Sequence, residues 1–146
     1  VASGVPHIPF EALDANYEID KEAYFGYFRK MHQLFPKCKK MVMAVRNQIA
    51  SSHHTLSGLL YDAVEDQLYT TRIYDIEPIV DPMGVGDAFI AAYIHAHQKW
   101  GDKNQYCLDF SLSASAIKNT VPGDQNLVTE EEIINNMTSS GGRIQR

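Results

Sequence analysis

One stretch of this sequence constrains its fold more than any other: IVDPMGVGDAFIAAYI, residues 79–94. A short apolar segment ends at Asp81, a turn with two glycines follows, and a long apolar helix is predicted to begin near Gly86. The first backbone N–H groups of a helix have no partner inside the helix, and the helix dipole adds positive potential there. Because Gly84 and Gly86 carry no Cβ, a phosphate group can approach these amides closely. The stretch therefore predicts a strand, a turn and a helix with an anion site at the helix start.

Asp87 falls in the first turn of that helix, where the dipole favours an ionised carboxylate. A negative charge beside an anion site opposes simple phosphate binding, but it suits a group that accepts a proton from an attacking hydroxyl. Phosphoryl transfer depends mostly on positioning and electrostatic stabilisation, so a carboxylate is an adequate base. The tetrapeptide G-x-G-D is common by chance, and the alternative is an aspartate that caps a helix after a glycine turn.

Helical periodicity appears elsewhere in the chain as well. A helix is predicted after the candidate N-cap Asp20, with apolar residues at helical spacing that indicate core packing: Tyr24, Phe28, Met31 and Phe35. A second helix, rich in small residues, is predicted over 106–119. A last helix begins at Thr129, which forms the T-x-x-E capping box with Glu132. The tail, 138–146, is expected to be disordered.

The strand pattern predicts a sheet beneath these helices. Residues 41–45 form a continuous apolar run, which is typical of a central parallel strand with both faces buried. The segments 57–62 and 67–75 flank a short polar stretch and predict a hairpin, and 77–81 predicts another short strand. The order of elements predicts one α/β domain whose helices pack on a mainly parallel sheet.

Composition narrows the function classes. The 146 residues include 13 Lys and Arg against 18 Asp and Glu, a formal net charge of −5, which argues against a general nucleic-acid binder. No apolar run approaches the roughly 20 residues of a membrane span, and the amino end has no signal-peptide pattern. Cys38 and Cys107 lie far apart in no metal-binding spacing, so a cytoplasmic protein with reduced thiols is expected.

The segment DPMGVGDAF resembles the D-T-x-G-A-G-D-x-F signature of the ribokinase-like (PfkB) carbohydrate kinases. Two more segments, AVRNQIASSHHTLSGLLYD and TVPGDQNLVTEEEI, extend the likeness over residues 20–137. Together they are similar to the carboxy-terminal half of a bacterial 2-keto-3-deoxygluconate kinase subgroup. The resemblance implies a ribokinase-like α/β fold, with residues 1–137 forming the nucleotide-binding half of the kinase domain. It also implies transfer of the γ-phosphate of ATP to a sugar or sugar-acid hydroxyl, with 2-keto-3-deoxygluconate as one candidate.

The resemblance assigns the chemistry to the glycine turn. Asp87 matches the family's catalytic base, and the amides of Gly84, Val85 and Gly86 match the anion hole for developing phosphate charge. For Val85 the alternative is plain packing, although a backbone donor tolerates a valine. ATP and Mg²⁺ are the implied cofactors, because the metal offsets phosphate charge.

Nucleotide-binding positions of the family are matched by Arg46, Ser111, Ser115 and Gly123. A surface arginine is the alternative for Arg46, and ordinary helix packing is the alternative for either serine. Many relatives also hold a monovalent cation such as K⁺ with backbone carbonyls.

The nearest matches for that cation site are Asp81, Met83 and Gly123, and Asp81 could instead cap a loop.

The sequence departs from the family pattern in several places. Pro82 stands where the family usually has Thr, and Val85 stands where it usually has Ala. The nucleotide-loop pattern T-x-G-x-x-G is absent, since Ala44 and Arg46 occupy its first positions. Arg46 could contact phosphate in its place through its cationic fork.

The family's sugar-binding residues, β-rich lid and N-x-x-E metal motif are expected upstream of this sequence. Asn16 and Glu18 have the spacing N-x-E and do not replace that motif. The expected partners are therefore a sugar or sugar acid, ATP and a missing amino-terminal half, with a possible homodimer of the complete protein and neither nucleic acid nor membrane. Two alternatives stay open: a non-catalytic nucleotide-binding module, and an inactive fragment that needs its other half.

Overall fold

A computed structural model of the chain describes residues 18–125, 127–139 and 143–144. Its elements follow in the order α1 Lys21–Leu34, β1 Lys40–Ala50, β2 His53–Asp62, β3 Gln67–Thr70, β4 Tyr74–Ile76, α2 Val85–Trp100, α3 Asn104–Lys118, α4 Glu130–Thr138 and β5 Arg143–Ile144. Within these ranges, no helix combines the length and the apolar character needed to cross a bilayer.

Side-chain caps begin two of the helices, as the sequence predicts. The carboxylate of Asp20 accepts hydrogen bonds from the backbone of Glu22 and Ala23 at the start of α1. Thr129 and Glu132 form the complete capping box of α4. These predictions hold because capping depends on residues only three apart.

The strands follow the order β1-β2-β4-β5, with β3 paired to β2 off that path. The pairs β1–β2, β2–β3 and β2–β4 are antiparallel, and only β4–β5 among the described pairs is parallel. The mainly parallel sheet is therefore wrong for these strands, whereas helices packed on a sheet are confirmed. The two-residue link 51–52 between β1 and β2 can join only antiparallel strands, and the hairpin between β2 and β3 is confirmed.

The first strand, β1, lies at an edge of the described sheet and not at its centre. Met41, Met43 and Val45 pack towards α1, while Val42 packs against the larger core on the other face. Apolar residues on both faces make the segment resemble a central strand. Because no described strand pairs with its outer edge, most of β1 is half-buried or exposed.

The strand predicted over 77–81 is wrong, since β4 ends before it begins. Pro78 has no N–H to donate to a sheet ladder. Further along, the backbone N–H groups of Val80 and Asp81 both donate to the carbonyl of Asn119, at 2.9 and 3.2 Å. This segment is thus held by the end of α3 instead of by a neighbouring strand.

Two apolar clusters lie on opposite faces of the sheet. Helix α1 covers one face, where Tyr24 and Phe28 pack with Leu59 and Tyr61 of β2. Helices α2, α3 and α4 cover the other face, and α3 is buried along nearly its whole length. Gly58 lets α3 approach the sheet, because a Cβ there would lie only 3.2 Å from a methyl group of the Leu108 side chain.

The carboxy-terminal tail differs from expectation. Thr138 is the last residue of α4, and Arg143–Ile144 form β5 and pair with β4, so disorder over 138–146 is wrong for these three residues. Residues 140–142 and 145–146 lie outside the described residues.

Candidate active site

The turn before α2 is built from backbone atoms. Gly84 is the N-cap residue, with φ 75° and ψ 3°, and no side chain caps the helix. A positive φ disfavours any residue with a Cβ, and a Cβ at Gly84 would also lie 2.6 Å from the carbonyl oxygen of Asp124. Both the backbone conformation and the neighbouring loop therefore require glycine here.

Beyond Gly84, the helix start is open. The amides of Val85, Gly86 and Asp87 lie in the first turn, where N–H groups have no acceptor within the helix. A Cβ added at Gly86 would meet nothing within 4 Å, so this side of the helix start is open. The side chain of Val85 packs in the core, so any contribution of Val85 to a ligand comes from its backbone.

Asp87 is exposed at this opening. Within the described part of the chain, its carboxylate makes no hydrogen bond and no ion pair. It does not cap the turn, so the alternative of a capping aspartate does not describe it.

Asp81 joins the glycine turn to the loop over 121–125. One carboxylate oxygen accepts from the Met83 amide at 2.9 Å, and the other accepts from the Gly123 amide at 2.8 Å. These two amides, followed by the positive charge of Lys118, lower the pKa of Asp81. The side chain of Asp81 therefore acts as a loop cap, which is the alternative that the sequence left open.

Asp81, Met83 and Gly123, the residues matched to the monovalent cation, thus lie together. Gly123 has φ 81° and is exposed, and Met83 is exposed as well. Their contacts are those of a loop junction.

Two residues at the end of α3 were missed by the sequence reasoning. Asn119 holds the segment before the turn through its backbone carbonyl, and its own amide group donates to the Ser115 carbonyl at 3.0 Å. Lys118 is fully buried and donates to the carbonyl of Val121 at 3.0 Å. The sequence signal that could have found them is a lysine and an asparagine at the end of SASAIKN, a segment of small and apolar residues typical of a buried helix.

The two serines matched to nucleotide-binding positions donate hydrogen bonds to backbone carbonyls inside the protein. Ser111 is fully buried and donates to the Cys107 carbonyl at 2.6 Å. Ser115 is 1 % exposed and donates to the Val85 carbonyl at 3.0 Å, which ties α3 to the first turn of α2. Helix packing, the alternative kept for both serines, describes their surroundings, because a hydroxyl without exposure cannot reach a ligand.

Arg46 lies on β1 opposite Leu56 and is exposed. Burial, followed by the charge of Arg46, lowers the pKa of the neighbouring His54 imidazole. Within the described ranges, no hydrogen bond or ion pair joins Arg46 to the glycine turn. Its surroundings are those of a surface arginine.

A cavity of about 470 Å³ lies away from the turn. Its lining includes Ser57, which lies on the same sheet face as Leu59 and Tyr61, the face covered by α1. The cavity therefore does not belong to the helix start that carries Asp87.

The described residues contain no group of three or more His, Cys, Asp or Glu side chains that could hold a metal ion. The Mg²⁺ implied by the resemblance thus has no cluster of three protein ligands in this part of the chain. Mg²⁺ is commonly bound through substrate phosphates and water, with one or two carboxylates.

No protein-family model matches the chain, and no curated protein matches it. Solved structures do match. A 2-dehydro-3-deoxygluconokinase from Thermotoga maritima aligns with a TM-score of 0.75 and 27 % identity, covering 82 % of this chain and 35 % of that one. A PfkB family carbohydrate kinase from Listeria grayi aligns with a TM-score of 0.73 and 28 % identity, covering 82 % and 39 %.

The chain has the ribokinase-like fold of the PfkB carbohydrate kinases. The resemblance carried by DPMGVGDAF is therefore confirmed. A candidate 2-keto-3-deoxygluconate kinase from Enterococcus faecalis, with a TM-score of 0.67 and 16 % identity, supports the fold alone and covers 84 % of this chain and 34 % of its own. The PfkB-like chain thus spans little more than a third of the length of these structures.

Proposed function

We propose that this chain is the nucleotide-binding part of an ATP-dependent carbohydrate kinase, with a sugar or sugar acid as acceptor and 2-keto-3-deoxygluconate as the first candidate. One observation carries the proposal: an uncapped helix start faces open space beside a free carboxylate, Asp87. The names of two matching kinases support the same reaction class.

In the proposed reaction, Asp87 accepts the proton of the acceptor hydroxyl as its oxygen bonds to the γ-phosphorus of ATP. The bond from that phosphorus to the β–γ bridging oxygen breaks, and ADP leaves with the electron pair. The amides of Gly84, Val85 and Gly86 stabilise the charge on the transferred group, which is where most of the catalytic effect of such sites arises. ATP supplies the phosphoryl group, and no step is assigned to Mg²⁺ in this part of the chain.

The remaining expectations become proposals of the same kind. The acceptor contacts come from a segment beyond this sequence, because the chain spans about a third of the matching kinases. Homodimerisation of the complete protein is a further proposal. Two free cysteines, Cys38 and Cys107, fit a reducing compartment such as the cytoplasm.

Replacing the proposed base tests the function directly. In the full-length protein, Asp87→Asn should lower kcat for ATP-dependent phosphorylation of 2-keto-3-deoxygluconate by about 10²–10⁴-fold, the usual contribution of general-base catalysis. Nucleotide affinity should not fall, because the asparagine keeps the shape of the side chain and removes a negative charge that repels phosphate. The measurements are a coupled ADP-release assay and calorimetric titration with ATP.

Glu131→Gln is the matched control, since Glu131 is an exposed carboxylate in the first turn of the capped helix α4. Its kcat should equal that of the wild type. An unchanged kcat in Asp87→Asn would remove the base assignment. Nucleotide binding without turnover on any sugar would favour the alternative, a non-catalytic nucleotide-binding module.

A further inference from the structure

The end of α3 holds an unusual lysine. Lys118 has no exposed surface, although lysines normally extend their ammonium groups to water. Its Nζ donates to the carbonyl oxygen of Val121 at 3.0 Å. The ammonium group therefore lies inside the protein, beneath the loop over 121–125.

Among the described residues, Lys118 also lacks the close carboxylate partner that Lys40 and Lys99 have. Nζ of Lys40 lies 2.7 Å from Asp102, whereas no Asp or Glu oxygen of the described residues lies within 4.0 Å of the Lys118 Nζ. A buried ammonium with a neutral acceptor alone is costly, because the lost hydration is only partly replaced. Such a group is stabilised when negative charge comes near it.

The loop above Lys118 contacts the glycine turn at two further points. The Gly123 amide donates to Asp81, and the Asp124 carbonyl oxygen lies against Gly84, where a Cβ would come within 2.6 Å of it. The start of the loop is held by Lys118, and its middle is held by the turn. Any movement of this loop therefore changes the backbone that precedes the open amides of α2.

The charges around the start of α2 also indicate a role for Lys118. Two carboxylates, Asp81 and Asp87, lie around the helix start and would repel a phosphate group. The charge of Lys118 acts on Asp81, as the lowered pKa of that carboxyl indicates after the two amides that bind it. Lys118 is thus a buried positive charge that offsets the charge of Asp81 from beneath the loop.

We propose that Lys118 is the positioning residue of the phosphate site: its ammonium holds the loop 121–125 against Gly84 and adds the positive potential that a polyphosphate needs there. This inference rests on the proposed function, and it names an inorganic pyrophosphate or nucleoside diphosphate moiety as the group that Lys118 helps to bind. Lys118 acts through the loop and through its field, without touching the phosphate.

The test compares three variants of the full chain. Lys118→Met removes the charge and the hydrogen bond, and Lys118→Gln keeps a donor while removing the charge. Lys103→Met is the matched control, because Lys103 is an exposed lysine at the other end of the same helix. Calorimetry with inorganic pyrophosphate gives the affinity, and amide proton exchange at Gly123, followed by NMR, reports on the loop.

We expect both Lys118 variants to raise the Kd for pyrophosphate about ten-fold or more. A change of this size corresponds to the free energy that one charged hydrogen bond or one nearby charge contributes. Exchange at Gly123 should be faster in both variants, and Lys103→Met should match the wild type. If Lys118→Met does not fold, Lys118→Gln carries the comparison.

Folded Lys118 variants that bind pyrophosphate as tightly as the wild type would overturn the inference. A wild-type chain that does not bind pyrophosphate would overturn the proposed function instead. In that case, exchange at Gly123 alone decides the role of Lys118 in the loop, and an unchanged rate refutes it.

Discussion

Helices α4 and α2 begin in opposite ways. At α4, the Thr129 hydroxyl accepts from the Glu132 amide at 3.2 Å, and the Glu132 carboxylate accepts from the Thr129 amide at 2.9 Å. At α2, the N-cap is Gly84 and no side chain replaces the missing acceptors. The first amides of α4 are thus satisfied by its own residues, whereas those of α2 are left for a ligand to bind.

The largest expected effect comes from changing the turn that keeps α2 open. Gly84→Ala should lower the free energy of unfolding by about 2–3 kcal/mol, because of its positive φ and the contact with the Asp124 carbonyl. Gly86→Ala should keep or raise stability, by up to about 1 kcal/mol, because alanine favours a helix and its Cβ meets nothing.

Urea denaturation of the two variants measures this difference, and pyrophosphate titration measures its consequence. Gly86→Ala should weaken pyrophosphate binding, since its Cβ enters the space beside the amides. Equal stability of the two variants would contradict the account of the turn.

A smaller effect is expected at the capped helix. Thr129→Ala should lower the free energy of unfolding by about 1 kcal/mol, the usual cost of losing an N-cap side chain. Pyrophosphate affinity should not change, because α4 does not bind the ligand. A loss of affinity as large as that of Gly86→Ala would mean that the two helix starts do not differ in function.

The smallest expected effect is on the stability of the protein at acid pH. Hydrogen bonds from Met83 and Gly123 lower the pKa of Asp81 below the 3.8 of an ordinary aspartate, so the folded state binds the proton more weakly than the unfolded state. The stability from Asp81 is therefore fully present above pH 3.8 and is lost as the pH falls through the lower folded pKa.

Asp81→Asn should flatten this acid-dependent loss, as measured by denaturation midpoints at a series of acid pH values. Glu131→Gln should retain the wild-type curve. Identical slopes for the wild type and Asp81→Asn would show that the Asp81 junction does not contribute.

The same contrast explains what could be predicted from the sequence. The caps at Asp20 and Thr129, the hairpin and the helix after Gly84 depend on residues close in the chain, and all are confirmed. The DPMGVGDAF resemblance led to the correct fold. The strand directions were wrong, because an apolar run such as 41–45 does not reveal which strand pairs with it.

The contact between Asp81 and the 121–125 loop could also not be predicted from the sequence. Asp81 and Gly123 are far apart in the chain, so their hydrogen bond is not visible in the sequence. The role of Lys118 also depends on its position beneath the 121–125 loop, which the packing of α3 sets. Ser111 and Ser115 match the family's positions, but their hydroxyls face backbone carbonyls inside the protein. Such contacts follow from packing between distant segments, which local patterns do not specify.

The central claim is that the start of α2, and not that of α4, binds phosphate groups. The most direct test is a pyrophosphate titration of the ¹⁵N-labelled chain, followed through its backbone amide signals by NMR. The account predicts saturable shifts at Gly84, Val85 and Gly86, with the α4 amides of Glu130–Glu132 unchanged. Shifts of equal size at both helices, or none at α2, would contradict it.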